Sequence, residues 1–127
     1  MLLHLTDLSD EPLQAQIVRQ IRAKILSGDL EHEDGLPSIR SMARDIQVSV
    51  ITVQRAYEHL EREGLIHSRR GKGFYVTAIP DENKKTMAMK KLEERMKAPI
   101  RDASAEGLEW KDILSVMEKL LKDHNVE

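Results

Sequence analysis

The side chains best equipped for chemistry in this sequence are hydrogen-bond donors and cations, and their grouping is that of recognition. Between residues 38 and 55 stand Ser38, Arg40, Ser49, Thr52, Gln54 and Arg55, beside the aliphatic Val50 and Ile51. Further on, Arg69-Arg70-Gly71-Lys72-Gly73 places cations and glycines side by side. Amide and guanidinium groups make paired hydrogen bonds to flat polar edges, and cations and hydroxyls bind phosphate oxygens. Glycine allows the close approach of backbone. Bond-making chemistry has no comparable support. His4, His32, His59, His67 and His124 are scattered, with no His-Glu-x-x-His spacing and no phosphate-binding glycine loop. Cysteine is absent, which excludes disulfides, thiolate zinc sites and cysteine nucleophiles. The reading is of a protein that is not an enzyme and needs neither metal nor cofactor.

A chain of 127 residues holds one ordinary domain, or a small domain with an appendage. With 33% charged and 3% aromatic residues it has the profile of a helical, water-soluble protein. The opening Met-Leu-Leu-His-Leu is too short, and too soon followed by Asp7, Asp10 and Glu11, to act as a signal peptide. No apolar run approaches the roughly 18 residues that cross a bilayer. A cytoplasmic protein without a membrane partner is expected. The formal net charge of −2 argues at first against a nucleic-acid partner, but its distribution is uneven. Residues 1–34 carry −4, residues 35–78 carry +3 and residues 79–127 carry −1. The middle segment is a basic island, although an ordinary mixed surface fits that excess equally well.

Those residues must be held by secondary structure. Ser9-Asp10-Glu11-Pro12 reads as a capped helix start, followed by Leu13, Ile17, Ile21 and Ile25 at i, i+4 spacing. Gly28 can close this helix, which is expected over about residues 12–27. An acidic turn from Leu30 to Gly35 leads to a second helix begun by Pro37-Ser38, with Ile39, Met42, Ala43 and Ile46 on one face. After a short turn at Gln47-Val48, Ser49 can cap a third helix, with Val53, Ala56, Tyr57 and Leu60 inside and Gly64 at its end. The period then changes. Leu65–Ser68 and Phe74–Thr77 look like two strands joined by the glycine-containing loop, a hairpin signal. From Asp81 the chain is helical again, with a stripe of Leu92, Met96, Ile100 and Ala103 that Pro99 should kink or restart. Gly107 is a plausible break before a second stripe of Trp110, Ile113, Leu114, Met117, Leu120 and Leu121.

Leu36–Ala43, Val48-Ser49, Thr52–Tyr57, Leu60–Ile66 and Arg70–Val76, together with Pro12-Leu13, Gln16-Ile17 and Ser27-Gly28, resemble the N-terminal domain of the GntR family of bacterial regulators. The likeness covers roughly residues 10 to 77. It implies a mainly α fold: a winged helix-turn-helix of three helices plus a β-hairpin wing over residues 1–78. The remaining 79–127 is too short for the large effector-binding domains of most members. A two-helix tail of this size is similar to that of the YtrA subfamily, where it joins the subunits of a dimer and where the regulated genes often encode ABC transporters. The implied function is a homodimeric repressor on a double-stranded, pseudo-palindromic DNA operator. Nothing in the sequence identifies a small-molecule effector.

In that frame a recognition helix enters the major groove with its N-terminal half, and the wing loop meets the backbone or minor groove. With Val53, Tyr57 and Leu60 inward at 100° per residue, Ile51, Arg55, Glu58 and Arg62 face outward, flanked by Val50 and Gln54. Gln54 can pair with adenine, and Val50 and Ile51 can pack on thymine methyls. Equally, Gln54 can be a solvated amide, and the two aliphatics can pack within the turn or against the second helix. The family commonly has arginine after Val-Ser, so Val50 puts a guanine contact in doubt. Arg40 matches a family arginine that contacts the operator; the alternative is a salt bridge with Glu33 or Asp34. Ser38, Ser49 and Thr52 can serve phosphate binding and helix capping together. Arg69, Arg70, Gly71, Lys72 and Gly73 form the expected wing. Glu33 stands where the family usually has glycine, so the turn there can differ. Leu92, Met96, Ile100, Trp110, Ile113, Leu114, Met117, Leu120 and Leu121 are the expected dimer interface, while Lys84, Lys85, Lys90 and Lys91 read as solvated helix surface.

Overall fold

The structure, a computed structural model, describes residues 3–124. In chain order these form α1 (Leu13–Ser27), α2 (Ile39–Ile46), α3 (Val50–Arg62), β1 (Ile66–Arg69), β2 (Gly73–Val76), α4 (Asp81–Ala105) and α5 (Trp110–His124). Two compact units result, Met1–Lys85 and Thr86–Glu127, so the division falls inside α4. Among the described residues, no helix is long and apolar enough to cross a membrane.

The core of the first unit follows the apolar stripes. Ile17, Ile21 and Ile25 of α1 meet Val53, Ala56, Tyr57 and Leu60 of α3, all fully buried. Met42 and Ala43 of α2 join them, and Leu65, Ile66 and Val76 close the layer from the hairpin. Each helix ends for a local reason. Gly28 takes φ 92° and returns its N–H to the Ile25 carbonyl. Ser38 and Ser49 cap α2 and α3 by accepting from the N–H groups of Ser41 and Thr52, both at 3.1 Å. Helix α1 starts differently from expectation. Ser9 accepts from Glu11 N–H inside its own turn, and Pro12 is the cap residue without a side-chain bond, so the helix begins at Leu13.

Two glutamines on α1 fasten the segment before it. Buried Gln16 accepts from Thr6 N–H at 3.0 Å and donates to the carbonyls of Thr6 and Glu11, both at 2.8 Å. One turn on, Gln20 repeats the exchange with both backbone groups of His4. An amide presents a donor and an acceptor as a peptide does, so the pair acts as a surrogate strand edge.

The hairpin register pairs Ile66 with Val76, His67 with Tyr75, Ser68 with Phe74 and Arg69 with Gly73. Arg69 and Gly73 therefore belong to the ladder, and the loop proper is Arg70-Gly71-Lys72, closed by Lys72 N–H on the Arg69 carbonyl. A third segment, read from sequence as an acidic turn, lies along the other edge of β2. Glu33 N–H donates to Val76, Val76 N–H to Asp34, and Leu36 N–H to Phe74, each at 2.9 Å.

In the second unit, α4 runs through Pro99 without restarting, and Gly107 at φ 95° separates it from α5. The carboxylate of Asp112 accepts from Glu109 N–H at the start of α5. Neither helix has a buried residue.

Candidate nucleic-acid interface

Polar and cationic residues singled out in the sequence lie on the surface of the first unit, on short elements anchored by its core. Gln47 takes the left-handed conformation that ends α2 (φ 57°), and Val48 N–H returns to the Ala43 carbonyl. This compact turn brings the chain from α2 into α3, and the two helices pack together. The N-terminal half of α3 then presents Val50 and Ile51 at 46% and 52% exposure. Both keep about half of their surface open to water, more than packing in the turn or against α2 alone calls for. Gln54 and Arg55 are exposed beside them, and the Gln54 amide donates to Glu58 at 3.2 Å, which leaves its carbonyl oxygen and second N–H open.

Arg40 is exposed in the first turn of α2 and has no ion pair among the described residues. Glu33, one of its possible partners in the sequence, bonds Arg69 instead. Asp34 accepts from Glu31 N–H. Ser38 and Ser49 spend their hydroxyl lone pairs on capping, and Ser49 also shares a 2.7 Å hydrogen bond with the Thr52 hydroxyl. At the hairpin, Arg70, Gly71, Lys72 and Gly73 are exposed, with Gly71 and Gly73 at φ 74° and 96°. Arg69 is in a different position. Its guanidinium lies 4.3 Å from the centroid of the Tyr75 ring and is ion-paired and hydrogen-bonded to Glu33. The Arg69 hydrogen bond holds the Glu33 carboxyl below its ordinary value of 4.5.

Periodicity marks Tyr57 as a core residue, and the structure adds a positioning role. Its ring is fully buried, its hydroxyl donates to the Pro37 carbonyl at 2.7 Å, and Phe74 meets it edge-on with centroids 5.1 Å apart. One side chain of α3 thus touches both the entry to α2, one residue before Ser38 and three before Arg40, and the second strand of the hairpin. Burial pushes its phenol above the ordinary value of 10.0. A second fastening joins α1 to the end of α3. Arg22, 8% exposed, bonds the Glu63 carboxylate, which also pairs with His59 Nε2 at 3.0 Å. Glu61 accepts from the N–H and hydroxyl of Ser68, tying α3 to β1. A polar residue three or four places from a helical apolar stripe was the available signal for Arg22, but it reads the same as an ordinary surface cation.

The second unit holds the remaining candidates. Leu92, Ile100, Trp110, Leu114, Leu120 and Leu121 are exposed, between 39% and 66%, while Met96, Ile113 and Met117 are half-buried. Lys91 sits 3.8 Å from Glu94 on the helix surface, whereas Lys84, on the part of α4 that belongs to the first unit, sits 3.8 Å from Asp81 with its side chain only 17% exposed and so departs from the expected solvated surface. Among the described residues no group of three or more histidine, aspartate or glutamate side chains is gathered as metal ligands would be.

Comparison with known proteins follows the same outline. The model of the family described as bacterial regulatory proteins, gntR family, matches residues 13–76. The HTH-type transcriptional repressor YtrA of Bacillus subtilis is 34% identical over 119 residues, covering 91% of this chain and 88% of its own length. A GntR family transcriptional regulator from Listeria monocytogenes superposes with a TM-score of 0.71 at 32% identity, over 91% of this chain and 98% of that one. The DNA-binding domain of AraR, solved in complex with operator ORX1, gives a TM-score of 0.52 at 27% identity over 59% of this chain and 93% of that one.

Proposed function

Because the chain belongs to the gntR family of bacterial regulatory proteins, and is a DNA-binding transcriptional regulator with a winged helix-turn-helix, we propose that it is a homodimeric repressor of a pseudo-palindromic operator. The observation that carries the reading is the exposure of Val50, Ile51, Gln54 and Arg55 together on the N-terminal half of α3. β-Branched side chains facing water gain nothing by it, whereas on a major-groove floor they meet thymine methyls. Gln54 keeps one N–H and its carbonyl oxygen for an adenine edge, and Arg55 reaches a base or a phosphate. Arg40, Arg70 and Lys72 supply cations, and the α2 and α3 N-termini behind Ser38, Ser49 and Thr52 supply phosphate-facing amides. Gly71 and Gly73 let the wing approach the backbone closely. The likeness to a domain solved on its operator supports the same mode of binding here.

The tail of residues 79–127 is the proposed dimerisation module, through the uncovered apolar stripes of α4 and α5. Two-fold symmetry then presents two recognition helices to successive major-groove faces. The protein acts in the cytoplasm without enzymatic activity, and likeness to a YtrA repressor makes transporter genes the proposed targets. The direct test is a titration against the DNA upstream of its own gene at two salt concentrations, beside a scrambled duplex. Tight specific binding that weakens steeply with salt is expected. Absence of binding to either duplex at low salt would transfer the winged helix to a protein-recognition role.

A further inference from the structure

Arg69 and Glu33 come from opposite edges of the small β-structure, and the geometry around them is built rather than incidental. Glu33 lies outside β2 on the added segment, and Arg69 ends β1 on the other side. Tyr75 stands between, paired with His67 on one edge and bridged to Gly35 on the other. Arg69 crosses the Tyr75 ring to reach Glu33, while His67 stacks near the same ring and bonds the Thr77 hydroxyl at 3.1 Å. The backbone accepts strain to put the carboxylate there, since Glu33 holds φ 70°, a conformation side chains rarely adopt. Glycine would sit there freely. Its β-edge hydrogen bond to Val76 needs only the backbone, so the side chain must be accounted for by what it touches, and that is Arg69.

Starting from the interface reading above, we propose that Glu33 is an affinity-setting residue: it sequesters the guanidinium of Arg69, so that each wing offers DNA phosphates two cations, Arg70 and Lys72, rather than three. A guanidinium whose charge and N–H groups are engaged by a carboxylate has to give up that partner before it can neutralise a phosphate and release a counterion, and the aromatic face holds it in place beside the carboxylate. The pair therefore caps the electrostatic share of binding and holds the protein away from indiscriminate, salt-driven attachment to any duplex. Arg70 and Lys72, one and three residues along, have no such partner among the described residues.

The test is an anisotropy titration of the full-length protein on a random-sequence duplex and on its upstream DNA, at roughly 50 and 200 mM salt. Glu33→Gln removes the charge, and Glu33→Gly does so while relieving the backbone, which guards against a folding defect. Both are expected to bind more tightly, with a salt slope steeper by about 0.9 per protomer, so that the gain shrinks about 3.5-fold per protomer across that salt range. Adding Arg69→Ala to Glu33→Gln should abolish the gain. Glu31→Gln, which removes an exposed acid that pairs with no cation among the described residues, should leave the slope unchanged. An equal gain from Glu31→Gln, a gain that survives Arg69→Ala, or no gain at all would overturn the proposal. Arg70→Ala separates this failure from failure of the interface itself: if it leaves affinity intact, the wing does not contact DNA.

Discussion

On the proposed reading, specificity at the residue scale turns on a few exposed side chains and on the one buried ring behind them. Val50 stands at the first position of α3 and is 46% exposed. An aliphatic group there favours a thymine methyl and offers guanine no donor. Val50→Arg is therefore expected to move preference at the corresponding base step toward guanine, and Gln54→Ala to lose about 1–3 kcal/mol of discrimination at one adenine. Binding selection from a randomised operator reads both, and an unchanged base profile in either variant would remove that residue from the reading surface. Tyr57 works from behind. Its hydroxyl satisfies the Pro37 carbonyl, so Tyr57→Phe should cost about 1 kcal/mol in unfolding free energy at neutral pH. The pH dependence has a definite sign. The folded protein raises the phenol above 10.0, so this contribution is complete below pH 10 and is lost as the pH rises beyond it, because the unfolded chain ionises first. Denaturant titrations from pH 8 to 11 should show an alkaline decline that is shallower in Tyr57→Phe.

Elements are placed by fewer contacts than their number suggests. Helix α3 is held past its middle by Tyr57 on Pro37, at its end by Glu63 on Arg22, and along its length by the buried face from Val53 to Leu60. Arg22 and Glu63 have side chains only 10% and 18% exposed, so removing the arginine takes the guanidinium from a poorly hydrated carboxylate and leaves it the weaker partnership of His59. Arg22→Ala is expected to destabilise the protein by about 3 kcal/mol, and Arg22→Met, which also deletes the charge but keeps the stem packed, by less. Thermal unfolding of both variants checks this; equal losses would show that charge and not packing carries the joint. Much of this architecture was legible in advance, because stripes at i, i+4, the capping serines and the glycines at 28, 71 and 73 act locally. The edge pairing of residues 33–36 was not. That segment is short and acidic, shows no alternation, and is ordered by backbone bonds to residues some forty positions away, which composition does not encode. Gln16 escaped notice for a related reason: a buried amide is stable only because Thr6 and Glu11 present it with peptide groups, and nothing in its own neighbours along the helix announces them. At the candidate site, residue types and exposure on α3 followed from the helical period, whereas the capture of Arg69 depended on the unforeseen edge that carries Glu33.

For the molecule as a whole, the question is what the second unit gains from apolar residues that its own fold leaves uncovered. Leu114 and Leu121, seven residues apart and so on one face of α5, are 47% and 63% exposed, and Leu120 and Trp110 are similarly open. Side chains of this size recover roughly 1.5–3 kcal/mol each when fully buried, and a stable interface needs about 800 Å² per partner. In the proposed dimer two such stripes, related by a two-fold axis, would cover each other. Leu114→Glu combined with Leu121→Glu places two charges per protomer in the proposed contact, where their desolvation is uncompensated. The expected outcome is a monomer in sedimentation velocity, with the unfolding transition of the first unit unchanged because its core lies wholly within residues 3–76. Operator affinity should fall by about 10²–10⁴, because two half-sites then bind as separate ligands and the effective concentration supplied by the tether is gone. A protein that remains dimeric with both charges in place would mean that the subunits join through another surface, and monomers that keep full affinity would mean that one winged helix reads the operator alone.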